Sequence, residues 1–119
     1  MNTQEKGKIY ETLSCTYLLE KGYTILSRNY QKKCGEIDII AQKNDLISFI
    51  EVKYRENSKY YTPKEAVTLS KQKKIIKTAN FFIYENFEKS NCNFNYTFDI
   101  IEIINNGNTI NHIENAFYL

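Results

Sequence analysis

Three side chains in one short stretch have the types and spacing to do chemistry: Asp38 in G-E-I-D (35–38), with Glu51 and Lys53 in F-I-E-V-K-Y-R (49–55). The stretch reads as two antiparallel strands joined at Asn44-Asp45, residue types that tolerate left-handed backbone and suit a two-residue turn. Counting outward from that turn sets Asp38 opposite Glu51 and Glu36 opposite Lys53. Such partners share a face, with Cβ atoms about 4.5–5.5 Å apart. Two carboxylates held that close repel by roughly 3 kcal/mol at an effective dielectric of about 20. A divalent cation between them makes the repulsion useful, as in magnesium sites that use one or two acids and keep several waters. Lys53 on the same face then completes a constellation for metal-assisted phosphodiester hydrolysis: acids for the cation, and a lysine to orient water or meet developing charge. The competing reading is a set of solvated residues on the open face of a sheet.

The elements that must position these groups follow from the chain in order. The spacing predicts a first helix over 4–21, with Ile9, Tyr10, Leu13, Ser14 and Tyr17 on its apolar side and Gly22 as its stop. Glu11 lies at the margin of that face. A strand over 23–30 and a polar link with Lys32 and Lys33 precede the hairpin, whose other face would carry Ile37, Ile39, Ala41, Ile50 and Val52. Thr62, Pro63 and Glu65 read as the capped start of a short helix, and Ser70 as the cap of a longer one over 71–86. Its stripe is Ile75, Ile76, Ala79, Phe82 and Ile83, with Gln72 on the core side and Lys71, Lys74 and Lys77 outward. A fourth strand over 96–104, a turn at Asn106-Gly107 and a short fifth strand over 109–113 close the chain. Asp99 falls in the fourth strand; His112, the only histidine, has no ligand partner at metal spacing and reads as structural.

At 119 residues the sequence accommodates one domain, 1–119, large enough for a real core. One proline and four glycines argue against a disordered chain. The three cysteines lack C-x-x-C spacing, so reduced thiols are expected in place of a disulfide frame or a zinc site. With no secretory leader and no apolar run of membrane-spanning length, a cytoplasmic protein without membrane contact is expected. Net charge is +2, but Lys and Arg gather between Lys53 and Lys77, immediately after the acid pair. Tyr54, Tyr60 and Tyr61 are interleaved there, which suits phosphate contacts plus stacking on a nucleic acid. The solvated face of a helix is the plain alternative.

Helix, three-strand meander, helix and two strands describe an α/β fold on a mixed sheet. With an acid on the second strand and E-x-K on the third, this resembles the PD-(D/E)XK, restriction-endonuclease-like superfamily. The segments Y-L-L-E-K-G-Y-T-I-L-S-R-N-Y (17–30), G-E-I-D-I-I-A (35–41), F-I-E-V-K-Y-R (49–55), S-K-Q-K (70–73), F-D-I-I (98–101) and H-I-E-N-A-F (112–117) resemble the successive signatures of the YraN-like bacterial family. That family is similar in fold to archaeal-type Holliday junction resolvases. The resemblance implies that Asp38, Glu51 and Glu11 bind metal, that Lys53 is the motif lysine, and that Gln72 supports the site. It leaves Glu36 without a role. Thr68 and Leu69 stand where relatives often carry proline, and Tyr10 where glycine is common.

The resulting expectation is a Mg²⁺- or Mn²⁺-dependent endonuclease on branched or processed DNA, with Arg55, Lys71, Lys73, Lys74 and Lys77 on phosphates. The resolvase likeness also implies a homodimer. The alternatives are a nucleic-acid-binding or assembly module that keeps the fold without the chemistry, and a protein-interaction domain using its tyrosine-rich surface.

Overall fold

A computed structural model describes residues 2–56, 67–89, 92–105 and 107–118. Asn2 opens helix α1 (Thr3–Glu20) with a capping box: its side chain accepts from the Glu5 N–H while the Glu5 carboxylate accepts from the Asn2 N–H. Gly22, at a φ of 93°, ends the helix and lets the chain reverse into β1 (Thr24–Lys32). The chain then runs through β2 (Gly35–Lys43) and β3 (Leu46–Arg55), crosses over through α2 (Leu69–Phe87), and returns as β4 (Asn95–Ile104) and β5 (Thr109–Phe117). Spatial order follows chain order, with β3 and β4 parallel and the other neighbours antiparallel. The arrangement is a mixed α/β sheet compatible with the restriction-endonuclease-like fold. No described helix is long and apolar enough to cross a membrane.

One helix covers each face of the sheet. Ile37, Ile40, Ile47, Phe49 and Ile100 pack under α2, where Ile75, Ala79 and Phe82 supply the expected stripe. Ile39, Ala41, Ile50, Ile101 and Ile103 pack under α1 against Tyr10 and Leu18. The buried side of α1 is Tyr10, Ser14, Cys15 and Leu18, while Ile9 is 42% exposed, so the apolar face is rotated from the one expected. At Gly35 the sheet backbone passes close beneath α2. A Cβ there would meet the Thr78 hydroxyl at 3.0 Å and the Lys74 carbonyl at 3.4 Å.

The hairpin register is the one the turn dictates, from Lys43↔Leu46 to Ile39↔Ile50, and Asn44 takes the left-handed φ of 55°. Two expectations about its outer end need correction. The ladder stops at Ile39↔Ile50, so Asp38–Glu51 and Glu36–Lys53 are not ladder pairs. Ile37 also departs from its expected face, joining the cluster under α2 while Ile39 joins the one under α1. The reason lies in β1, where Asn29 has a φ of 53°. Arg28, opposite Ile39, reaches Thr12 of α1, whereas Tyr30, opposite Ile37, meets Phe82 of α2. Strict alternation is broken at one level of both strands, and Asp38 sits at the break.

The long helix is capped by Thr68, whose hydroxyl accepts from the Lys71 N–H, in place of the expected Ser70. The short helix expected from Thr62, Pro63 and Glu65, together with Tyr60 and Tyr61, lies outside the described residues. Strand β5 runs to Phe117, past the expected end at Ile113, because Asn115 takes a φ of 54° and the register shifts between Phe98 and Ile100.

Candidate metal and phosphate site

At the break in β2 the Asp38 carboxylate takes over a backbone bond the ladder no longer supplies: its Oδ2 accepts from the Val52 N–H at 2.8 Å. Burial and the charge of Glu51 push the Asp38 carboxyl up to about 7, with a smaller push from Glu11. The Val52 hydrogen bond and the Lys71 charge pull the other way. Asp38 and Glu51 are therefore neighbours in the electrostatic sense, as the sequence predicted, although they are not opposite rungs of a ladder.

Glu51 is 5% exposed and faces α2. Its Oε1 lies 2.9 Å from the Lys71 ammonium and 3.5 Å from that of Lys53. Lys53 holds the position expected of it, beside the acid and 29% exposed. Lys71 does not simply face outward. Burial acts to lower its pKa, but the hydrogen bond and charge of Glu51, with Asp38 and Glu36, raise it overall.

Glu11 leans toward the site from α1. Its Oε1 is buried without a hydrogen-bond partner, and the Arg28 guanidinium stands 4.0 Å away. Among the described residues no three His, Cys, Asp or Glu side chains stand together at metal-ligand spacing. The expected trio of Asp38, Glu51 and Glu11 is thus a close acid pair with a third carboxylate set back. The donor chemistry fits a hydrated Mg²⁺ or Mn²⁺, which needs only one or two acid side chains and keeps its waters. The orphaned Glu11 oxygen and the crowding that raises Asp38 are what such an ion would relieve.

Two of the expected residues are placed differently. Gln72 turns back along its own helix start, donating to the Val67 carbonyl at 2.9 Å, and so fixes the entry to α2. Arg55, expected on phosphates, has a side chain only 9% exposed and lies against the buried Glu102, Nε to Oε2 at 2.6 Å. That approach is an ion contact off the hydrogen-bond axis. Lys73, Lys74 and Lys77 are exposed on α2. Tyr54 is half-buried and stacks on Tyr10 at 4.4 Å between centroids. Glu36, with no role assigned by the sequence, accepts from the Gln31 amide at 3.1 Å. It borders two surface grooves, one of about 300 Å³ with Lys71 and Lys74, the other of about 500 Å³ with Lys8 and Glu11.

A second polar cluster lies between β4 and β5. Asp99 accepts from the Asn115 N–H at 2.9 Å through Oδ1 and pairs Oδ2 with His112 Nε2 at 2.8 Å, while Tyr17 contacts His112 Nδ1 at 3.3 Å. The structural reading of His112 fits this. Its partner Asp99 was invisible to spacing arguments, because the two meet only through β4–β5 pairing.

The family described as uncharacterised protein family UPF0102 matches residues 10–103. A UPF0102 protein of Clostridioides difficile is 48% identical over 120 residues, covering 98% of this chain and all of its own length. Another from Clostridium tetani is 45% identical with both chains fully covered, and one from Vibrio campbellii is 41% identical over 92% of this chain and 89% of its own.

Proposed function

We propose, for a chain that belongs to the UPF0102 family, that it hydrolyses phosphodiester bonds in branched or otherwise processed DNA with the help of Mg²⁺ or Mn²⁺. The observation that carries this reading is the crowded acid pair, in which Glu51 helps hold Asp38 near a pKa of 7 while two ammonium groups attend Glu51. A divalent cation bound there supplies Lewis-acid charge to a phosphate. The chain's own residues do the rest. Asp38, anchored by the Val52 N–H, and Glu51 would hold the ion, Asp38 as its ionised carboxylate with the proton released to solvent. Lys53 lies beside Glu51, where its ammonium would donate to the attacking water or to a phosphate oxygen as negative charge develops. Exposed Lys73, Lys74 and Lys77 hold the flanking backbone.

One observation favours a second reading. Glu51 already has two cationic partners, and no third ligand joins the pair among the described residues. A fold kept for binding nucleic acid without cutting it would look like this. Salt-dependent DNA binding with no divalent-cation affinity would mark that case.

The two are separated by incubating the protein with Mg²⁺ or Mn²⁺ and a panel of duplex, flap, single-strand and four-way DNA, beside Asp38→Asn. Cleavage of at least one substrate by the wild type, lost in the variant, is expected. Cleavage of none, or equal cleavage by both proteins, contradicts the nuclease reading.

A further inference from the structure

We propose that Lys71 is a resident cation, seated on the acid pair while no divalent ion is bound and displaced when one arrives. The inference rests on the reading that Asp38 and Glu51 take such an ion. Glu51 Oε1 is claimed by two ammonium groups from different elements, Lys71 at 2.9 Å and Lys53 at 3.5 Å. Lys53 is tied to the site by its backbone, because it sits in β3 opposite Glu102 of β4. Lys71 instead reaches in from the first turn of α2, and its side chain is 46% exposed. The tighter partner of Glu51 is therefore also the one with a route out.

A hydrated dication and an ammonium cannot share one carboxylate oxygen without strong repulsion at such short range. When the ion arrives, Lys71 yields, since its flexible four-carbon stem can swing without moving the helix. The groove outside is already prepared for it. Glu36 lines the same depression as Lys71 and Lys74. A phosphate oxygen entering that groove beside a loaded site would meet the released ammonium. Lys71 would thus compensate the acid pair in the resting protein, weaken its hold on divalent ions, and become a phosphate contact once an ion is in place.

Calorimetric titration with MnCl₂ of wild type, Lys71→Met, Lys71→Gln and Lys71→Arg tests this, with circular dichroism to confirm folding. Loss of the charge should tighten Mn²⁺ binding roughly three- to fivefold, the upper end for one exposed ion pair, while Lys71→Arg stays within about 1.5-fold of wild type. The two neutral variants should also bind a short DNA duplex more weakly, with a salt slope smaller by about one. Unchanged or weakened Mn²⁺ binding in the neutral variants, equal tightening in Lys71→Arg, or no Mn²⁺ uptake by any of the proteins overturns the proposal. Tightening without cleavage of any DNA upholds Lys71 in this role and removes the nuclease reading. Cleavage by the wild type with unaltered Mn²⁺ affinity in the neutral variants does the reverse.

Discussion

Asp38 and Asp99 are both carboxylates drawn into the sheet, and the fold treats them differently. Asp99 is 1% exposed with both oxygens occupied, one by the Asn115 N–H and the other by His112, which in turn meets Tyr17. Asp38 has the Val52 N–H on one oxygen and the charge of Glu51 nearby, so its ionised form is penalised. A buried polar network with every member satisfied rigidifies a fold, whereas a partly satisfied one is costly and persists where something else completes it. The sheet thus separates a cluster that pins β5 from a cluster in which burial and Glu51 disfavour the charge on Asp38. Glu102 and Arg55 form a separate buried ion contact inside the sheet.

The largest effect that would sharpen the contrast is on cleavage: Asp38→Asn should lower it by roughly 1000-fold or more, the scale of several kcal/mol of cation-dependent stabilisation. The same variant should fold at least as stably as wild type without metal. Its pH dependence gives the next effect. The folded-state pKa of about 7 exceeds the ordinary carboxyl value of 3.8, so the folded protein keeps a proton the unfolded chain has released. The stability tied to that proton is present below about pH 4 and lost as pH rises through about 7, by up to roughly 4 kcal/mol. Urea midpoints measured in EDTA should fall over that window in wild type and much less in Asp38→Asn, and Mg²⁺ should restore the wild type at pH 8.

Asp99→Ala should act in the opposite sense. It leaves the Asn115 N–H and His112 without their partner and should cost about 3 kcal/mol at all pH values where the protein is folded, while Mn²⁺ affinity stays that of wild type. A changed Mn²⁺ affinity would mean that the two clusters are coupled. The smallest effect is expected from Gly35→Ala, whose Cβ would press on Thr78 and the Lys74 backbone. A loss of about 1–2 kcal/mol should accompany a shift of the α2 turn that carries Lys71, read as altered Mn²⁺ binding. Loss of stability alone would show that α2 yields elsewhere.

Much of this geometry was legible before any coordinates. The Asn44-Asp45 turn fixed the hairpin register, and the register brought Asp38, Glu51 and Lys53 to one end of the sheet. Composition and periodicity also placed α2, because Ile75, Ala79 and Phe82 leave little choice of face. What escaped depends on backbone that propensity does not encode. The left-handed Asn29 switches sides for Tyr30 and Ile37, and the left-handed Asn115 lengthens β5. Long side chains were equally opaque: a helical wheel points Lys71 outward, but its stem spans the gap to Glu51, while Arg55 folds onto a glutamate from another strand. Thr68 won the cap from Ser70 because its hydroxyl accepts from the Lys71 N–H.

The central claim is that burial and the neighbouring Glu51 keep the Asp38 carboxyl protonated up to about pH 7 until a divalent ion completes the pair. The most direct measurement is the titration of the Asp38 carboxyl carbon by ¹³C NMR, with and without saturating Mg²⁺. A midpoint near 7 in EDTA that falls by two units or more with Mg²⁺ is predicted. A midpoint near 4 in both conditions would contradict the account, since Asp38 would then be an ordinary carboxylate with nothing for an ion to relieve.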